Sequence, residues 1–212
     1  MSLKSVKQRL ERACQRADRD PNEVKLVAVT KGHSVSEIED TLLQHGHTCL
    51  GENRVQEWQD KYEVLPNSEW HFIGNLQRNK VKYCLPFHTI HSLNSVRLAD
   101  EMEKRGAKED HTFRVMVEVN VAGEDSKEGA GLENAETLVR HAQGLAHVQV
   151  AGLMTIAPYS DNPEDARPLF RKLRELRDAW GLKELSMGMS GDFEVAVEEG
   201  ATCVRIGSAL FE

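Results

Sequence analysis

Apolar and polar positions alternate along this chain in short blocks that switch between two periods. Residues 3–17 carry apolar side chains at helical spacing, which predicts an amphipathic helix at the N-terminus. The stretch 26–30, Leu-Val-Ala-Val-Thr, is a continuous run of β-branched and apolar residues, which is typical of a strand buried on both faces. Seven similar runs follow, and we predict further strands at 48–50, 70–73, 87–91, 113–121, 147–153, 184–187 and 202–206.

Helix signals lie between these strands. Ser34 and Glu37 have capping-box spacing, and Asn162 followed by Pro163 is an N-cap with a proline at the first helical position. Gly46 and Gly106 are predicted to end helices. Further helices are predicted at about 54–64, 76–84, 94–105, 132–143, 163–180 and 190–199, with a glycine-containing loop before the one at 132.

Eight strands that alternate strictly with helices indicate a parallel sheet covered on both faces. Eight such units favour a single closed (β/α)8 TIM-type barrel with an extra N-terminal helix, as one domain over residues 1–212. The alternative is a doubly wound open sheet. We find no glycine fingerprint for it and no point where the strand order would reverse.

Composition and charge narrow the choice of partners. The 212 residues are 40% hydrophobic, and the formal net charge of −7 argues against nucleic-acid binding. No run approaches the roughly 18 apolar residues of a membrane span, and the N-terminus lacks the apolar core of a signal peptide. We therefore expect a cytoplasmic protein with no nucleic-acid or membrane partner, in which the four scattered cysteines are reduced and mostly buried.

The first candidate for chemistry is Lys31, which closes the strand 26–30. Lysines are rarely buried unless another group pairs with them or uses them. Desolvation lowers the pKa of a lysine, and a neutral amine is a nucleophile, so Lys31 is a candidate Schiff-base lysine. The alternative is that the chain surfaces here and Lys31 is simply solvated.

Two turns near the C-terminus suit a phosphate. Ser190-Gly191 and Gly207-Ser208 place small residues at predicted helix starts, where backbone N–H groups and the helix dipole favour an anion. Ordinary capping is the alternative interpretation. Arg205 lies just before the second turn. A nucleophilic lysine together with a phosphate cradle suggests pyridoxal 5′-phosphate (PLP), held as an imine on Lys31.

Longer motifs then point to a family. The segments 27–31, 51–57, 70–80, 152–155, 185–192 and 204–208 resemble the pyridoxal-phosphate homeostasis protein family, in the same order along the chain. The resemblance implies a single alanine-racemase-like barrel that binds PLP. It implies that Lys31 forms the Schiff base and that Arg205 faces the pyridine nitrogen. The cofactor-binding residues it indicates are Lys31, Asn53, Met189, Ser190, Arg205, Gly207 and Ser208.

The same resemblance implies a carrier that buffers PLP or passes it to apo-enzymes, with no catalytic residue assigned. An arginine beside the pyridine nitrogen disfavours its protonation, which makes the ring a weaker electron sink. Racemisation also needs a second acid or base, and among the tyrosines only Tyr159 is a candidate worth testing. A weak PLP-dependent racemase and a cofactor-free aldolase-like barrel remain as alternatives. A monomer is expected.

The histidines give no strong signal for a metal. His45 and His47 have a metal-like spacing, but no third ligand stands at a helpful distance in the sequence, so no metal is expected. His71, His88 and His91 lie in or near predicted strands, and we interpret them as hydrogen-bonded core or rim residues.

Overall fold

A closed ring of parallel strands forms the centre of the computed structural model, which describes residues 2–123 and 129–211. The strands are β1 Lys25–Val29, β2 Cys49–Glu52, β3 Glu69–Phe72, β4 Thr89–Leu93, β5 Phe113–Asn120, β6 Ala130–Gly131, β7 Val148–Met154, β8 Glu184–Ser186 and β9 Cys203–Ile206. The order is β4-β3-β2-β1-β9-β8-β7-β5, and a β4–β5 pairing closes the ring. Because the two-residue β6 only adds to β5, eight strands form the barrel, and the predicted (β/α)8 fold is confirmed.

Helices surround the ring. They are α1 Leu3–Arg16, α2 Val35–Thr41, α3 Val55–Val64, α4 Val96–Glu109, α5 Leu132–Gln143, α6 Arg167–Ala179, α7 Phe193–Glu198 and α8 Ser208–Phe211. Short 3-10 turns cover Pro21–Glu23, Leu43–His45, Arg78–Tyr83 and Pro163–Ala166. The predicted N-terminal helix is α1, and the predicted capping box of Ser34 and Glu37 opens α2. No helix in the described ranges is long and apolar enough to cross a membrane.

Three helix predictions need correction. The helix predicted at 190–199 begins only at Phe193, so Ser190 and Gly191 lie in the turn before α7 and not at its start. The helix predicted at 76–84 is a 3-10 turn, Arg78–Tyr83. Gly106 does not end α4, which continues to Glu109. A Cβ on Gly106 would lie 2.4 Å from the Cβ of His147, so this glycine allows α4 to pack against the segment before β7. The predicted loop before α5 includes residues 124–128, which lie outside the described residues.

Two different environments meet at the strands. The main hydrophobic core lies between the strands and the helices, where the strand and helix faces bury apolar side chains against each other. The interior of the ring is more polar. The His91 imidazole on β4 contacts the Ser186 hydroxyl on β8 at 2.8 Å, although two strands separate β4 from β8 around the ring. These two side chains therefore point into the barrel.

The cysteines agree with the sequence prediction. All four are free, with Cys14, Cys84 and Cys203 buried and Cys49 half-buried. Burial raises the pKa of the Cys84 thiol to about 12 and that of Cys203 to about 11, which keeps both thiols protonated at neutral pH.

Candidate functional site

The predicted site residues follow four consecutive strands of the ring. Lys31 and Asn53 come after β1 and β2, and Ser190 and Gly207 come after β8 and β9. The strand order places β8, β9, β1 and β2 side by side. Since parallel strands end at the same face of a barrel, these residues share one rim, which is where barrel proteins form their sites.

Lys31 lies in the turn after β1, and its side chain is exposed. The idea that Lys31 lies buried at the end of its strand is therefore wrong, because β1 already ends at Val29. The turn itself is anchored. The Thr30 backbone N–H donates to the Gly51 carbonyl oxygen at 2.9 Å. Lys31 thus presents a solvent-accessible amine from a fixed backbone.

A buried ionic cluster lies directly behind this turn. The Lys61 ammonium donates to the Thr30 carbonyl oxygen at 2.7 Å and to the Glu52 carboxylate at 2.5 Å. The Thr30 hydroxyl donates to the same Glu52 carboxylate at 2.7 Å. Glu57 accepts from Lys61 at 3.1 Å and from the Gly32 backbone N–H at 2.5 Å. This cluster holds the residues on both sides of Lys31.

Asn53 sits between the ends of β2 and β3. A Cβ on Gly74 would lie only 2.2 Å from the Asn53 carbonyl oxygen, so glycine is required for the two chains to approach this closely. The Asn53 side-chain oxygen is buried and has no hydrogen-bond partner among the described residues. A buried acceptor in this state is unusual and is a good position for a ligand donor.

The two turns predicted to hold a phosphate are in direct contact. The Ser190 hydroxyl accepts a hydrogen bond from the Ala209 backbone N–H at 3.3 Å, which joins the turn after β8 to α8. The Met189 backbone N–H donates to the Asp192 carboxylate at 2.6 Å, which fixes the backbone just before Ser190. Gly207 packs close to β1, since a Cβ there would lie 3.4 Å from the Cβ of Val29.

Arg205 is a second buried cation near the rim and is only 4% exposed. Its guanidinium donates to the Ser186 hydroxyl at 2.6 Å and to the Thr155 carbonyl oxygen at 3.0 Å. Burial lowers the pKa of Arg205, while Cys203, Glu118 and other acidic groups act in the opposite direction. Both ends of the guanidinium are therefore fixed, and the orientation of its plane is set by two strand ends.

Sequence reasoning missed the groups that support the site. The ionic pair of Lys61 and Glu52 joins α3 to β2, and nothing in the sequence pattern pairs residues nine positions apart. The histidines were interpreted as hydrogen-bonded residues, which is confirmed for His71 and His91, but their connection to Arg205 was not foreseen. The available signal was the pair of polar residues two positions apart in β3, Glu69 and His71, and in β4, Thr89 and His91.

A small cavity of about 190 Å³ adjoins the rim beside Asn53 and Asn75. A larger cavity, about 680 Å³, lies elsewhere, between α1 and the turn Leu43–His45. The rim is therefore assigned from its polar groups and not from cavity size. Tyr159, the tyrosine considered from the sequence, is 92% exposed and donates to Asp161 at 2.8 Å.

Comparison with known proteins gives matches over the whole chain. Residues 1–212 match the family model described as alanine racemase, N-terminal domain. A pyridoxal phosphate homeostasis protein of Aquifex aeolicus is 50% identical over 218 residues, which cover 99% of this chain and 95% of that protein. The protein of the same name from Deinococcus radiodurans is 41% identical over 211 residues, which cover 100% of each. The solved structure of PipY from Synechococcus elongatus with PLP bound has a TM-score of 0.82 at 32% identity, covering 96% of this chain and 100% of that one.

Proposed function

Because the chain belongs to the alanine racemase N-terminal domain family, and within it to the pyridoxal phosphate homeostasis proteins, we propose that it binds PLP and buffers or carries it for other proteins. The family resemblance found in the sequence motifs is thereby confirmed. The PLP-bound state of PipY, a neighbour that this chain covers completely, supports PLP as the ligand here.

The observation that carries the proposal is the placement of Lys31. An exposed amine follows β1, and the neighbouring strands β9 and β8 lead to the joined turns at Ser190 and Ala209. An aldehyde that also carries a phosphate would use these two features together. The buried, unsatisfied side-chain oxygen of Asn53 fits a ligand that brings a hydrogen-bond donor to this rim.

In this proposal, each candidate site residue has its own role in binding PLP. Lys31 would supply the amine that holds the aldehyde of PLP, and Ser190, Gly207 and Ser208 would hold its phosphate. Arg205 would donate towards the ring nitrogen, and Asn53 and Met189 would lie beside the ring. When bound, PLP supplies an electrophilic aldehyde and a conjugated ring.

Two features of the rim suit a carrier. Lys31 is exposed, so PLP can be loaded and released there. Arg205 is a fixed cation, and a cation beside the pyridine nitrogen disfavours the protonated ring that amino-acid chemistry requires. We propose a cytoplasmic monomer that gives PLP to apo-enzymes. Light scattering of the PLP-loaded protein measures its molar mass, and the mass of one chain is expected for a monomer.

A titration of the purified protein with PLP tests the binding. The wild type is expected to develop a visible absorbance band that Lys31→Ala lacks, whereas Lys108→Ala, an exposed lysine near the end of α4, retains it. Borohydride reduction followed by peptide mapping is expected to place the cofactor mass on Lys31. A band that persists in Lys31→Ala, or a mass on another lysine, would overturn the assignment.

Transfer requires a separate test. The PLP-loaded protein is mixed with an apo-aminotransferase in the presence of a phosphatase that destroys free PLP. Reactivation that exceeds the reactivation by free PLP under the same conditions supports direct transfer. Equal rates would show that the protein only releases PLP to solvent. Turnover of an L-amino acid at ordinary enzymatic rates, lost in Lys31→Ala, would favour the racemase alternative.

A further inference from the structure

A line of side chains crosses the interior of the barrel from the rim to the opposite end. The Arg205 guanidinium contacts the Ser186 hydroxyl at 2.6 Å, and Ser186 contacts His91 Nδ1 at 2.8 Å. His91 Nε2 contacts His71 Nδ1 at 2.9 Å, and His71 Nε2 contacts the Glu69 carboxylate at 2.8 Å. The line joins four strands, β9, β8, β4 and β3.

The chemistry at its two ends fixes the direction of every hydrogen bond. Arginine can only donate, and an ionised carboxylate can only accept. A hydroxyl and a neutral imidazole each offer one donor and at least one acceptor. Ser186 must therefore donate to His91, His91 to His71, and His71 to Glu69. Reversing one of the inner links would place two donors or two acceptors face to face, or would require a buried histidinium.

The surroundings keep both imidazoles neutral. His71 and His91 are both buried, and burial lowers the pKa of each. The groups that face them are cationic as well as anionic: Glu69, Lys25, His88, Arg114 and Arg205. The hydrogen bond from His71 lowers the pKa of Glu69, with Lys25 acting in the same direction, so the terminal carboxylate is ionised at neutral pH.

The Glu69 end could be mistaken for a metal site. The ligand atoms of Cys49, Glu69 and His71 lie within 4.8 Å of one another. However, the same Glu69 oxygen already accepts from Lys25 at 2.5 Å, from His71 at 2.8 Å and from the Cys49 thiol at 3.6 Å. A carboxylate this well satisfied, and paired with an ammonium group, is better suited to end a hydrogen-bond chain than to bind a cation.

We propose that Glu69, His71, His91 and Ser186 form a one-directional hydrogen-bond chain that positions the Arg205 guanidinium at the ligand rim. The identity of that ligand rests on the proposed function. The four residues act through Arg205 and do not touch the ligand, so they are positioning residues. The chain ends beside a cavity of about 470 Å³ at the other end of the barrel, lined by His71, Cys203 and Lys25 among others.

The chain itself is tested without any ligand. Long-range 1H–15N correlation spectra of the unliganded protein are expected to show His71 and His91 as neutral rings with the proton on Nε2. In Ser186→Ala, His91 is expected to lose its fixed tautomer, because its Nδ1 no longer has a donor. A histidinium at pH 7, or a proton on Nδ1 of either ring in the wild type, would overturn the proposal.

The effect on Arg205 is tested by PLP titration. Ser186→Ala is expected to weaken PLP binding about ten-fold and to shift the pH dependence of the bound band, because the guanidinium loses one of its two anchors. Ser92→Ala is the matched control, since Ser92 is an equally buried serine next to His91 whose hydroxyl has no partner in the described ranges. Equal behaviour of the two variants would overturn the positioning role.

A second variant changes Glu69, at the end of the hydrogen-bond chain that lies farthest from Arg205. Glu69→Leu removes the acceptor at the end of the chain, so the His71 Nε2–H loses its partner and the direction of the hydrogen bonds is no longer fixed. The pH dependence of the bound band is expected to shift in the same direction as in Ser186→Ala, whereas Glu23→Leu, at a residue that lines the same cavity outside the hydrogen-bond chain, leaves it unchanged. An unshifted pH dependence in Glu69→Leu would contradict the proposed hydrogen-bond chain. If the wild type binds no PLP, the proposed function fails. The spectra of the unliganded protein still show whether the hydrogen-bond chain has the proposed direction.

Discussion

The Lys61 ammonium group lies 2.7 Å from the carbonyl oxygen of Thr30, the residue directly before Lys31. One lysine is therefore buried behind the turn that exposes another. The two have different tasks because of their surroundings. Lys61 is neutralised by Glu52 and Glu57, whereas Lys31 extends from the turn towards solvent.

The first prediction concerns the buried ion pair of Lys61 and Glu52. Lys61→Met leaves the fully buried Glu52 carboxylate without its cation and is expected to lower the free energy of unfolding by about 3–5 kcal/mol. Burial raises the pKa of Glu52 even in the wild type, and losing Lys61 raises it further. The folded variant then binds a proton that the unfolded chain releases, so its stability relative to the wild type falls as the pH rises from about 5 to 8. Urea unfolding at both pH values measures this.

A double variant provides the control for the buried pair. Glu52→Gln combined with Lys61→Met removes both charges and is expected to recover much of the lost stability and to lack the additional pH dependence of Lys61→Met. Equal stability of the single and double variants would show that the destabilisation comes from lost packing and not from a stranded charge.

The second prediction concerns the phosphate turns. Ser190→Ala removes a hydroxyl that accepts from the Ala209 backbone N–H. We propose that this hydroxyl also contacts the phosphate of PLP. PLP is expected to bind about 10-fold to 100-fold more weakly, since hydrogen bonds to charged groups contribute about 1.5–3 kcal/mol. Pyridoxal, which lacks the phosphate, should bind the variant and the wild type equally. Absorbance titration with both compounds measures this, and an equal loss for pyridoxal would contradict a role in phosphate binding.

The elements of the barrel could be predicted because each depends on local patterns. β1 is a continuous apolar run, and the box of Ser34 and Glu37 is a short-range signal. Lys31 and Arg205 stood out because a charged residue beside such a run is unusual. The environments of these two residues were harder to predict from the sequence. The exposure of Lys31 depends on a strand ending two residues earlier, and strand ends are set by pairing across the sheet.

The supporting contacts could not be predicted for a related reason. His91 and Ser186 are 95 residues apart, and only the closure of the ring brings them to 2.8 Å. For Gly106, the local sequence signal led to a wrong prediction. Its local signal indicated a helix end, but tertiary packing against His147 explains the glycine better. Contacts between distant segments therefore account for most of what the sequence did not reveal.

The third prediction tests Gly106 directly. Gly→Ala in the middle of a helix is usually stabilising, because alanine has the higher helix propensity. Here the new Cβ would lie 2.4 Å from the His147 Cβ and 2.5 Å from the His111 carbonyl oxygen. We expect Gly106→Ala to destabilise the protein by about 1–3 kcal/mol. Thermal unfolding measures this. Gly131→Ala, where a Cβ would meet no atom within 4 Å, is the control, and equal melting temperatures for both variants would contradict the packing role.

The last prediction concerns acid stability. His47 is buried, its Nε2 atom has no hydrogen-bond partner in the described part of the chain, and burial lowers its pKa to about 4. The unfolded chain protonates this histidine near pH 6.5, whereas the folded protein resists protonation until about pH 4. Stability from this group is therefore fully present above pH 6.5 and is lost as the pH falls towards 4, by about 3 kcal/mol. His47→Met is expected to flatten the urea-unfolding profile over this range. His45→Met, the same change at an exposed position two residues earlier, should leave the profile unchanged, and an unaltered slope in His47→Met would assign the acid sensitivity to other groups.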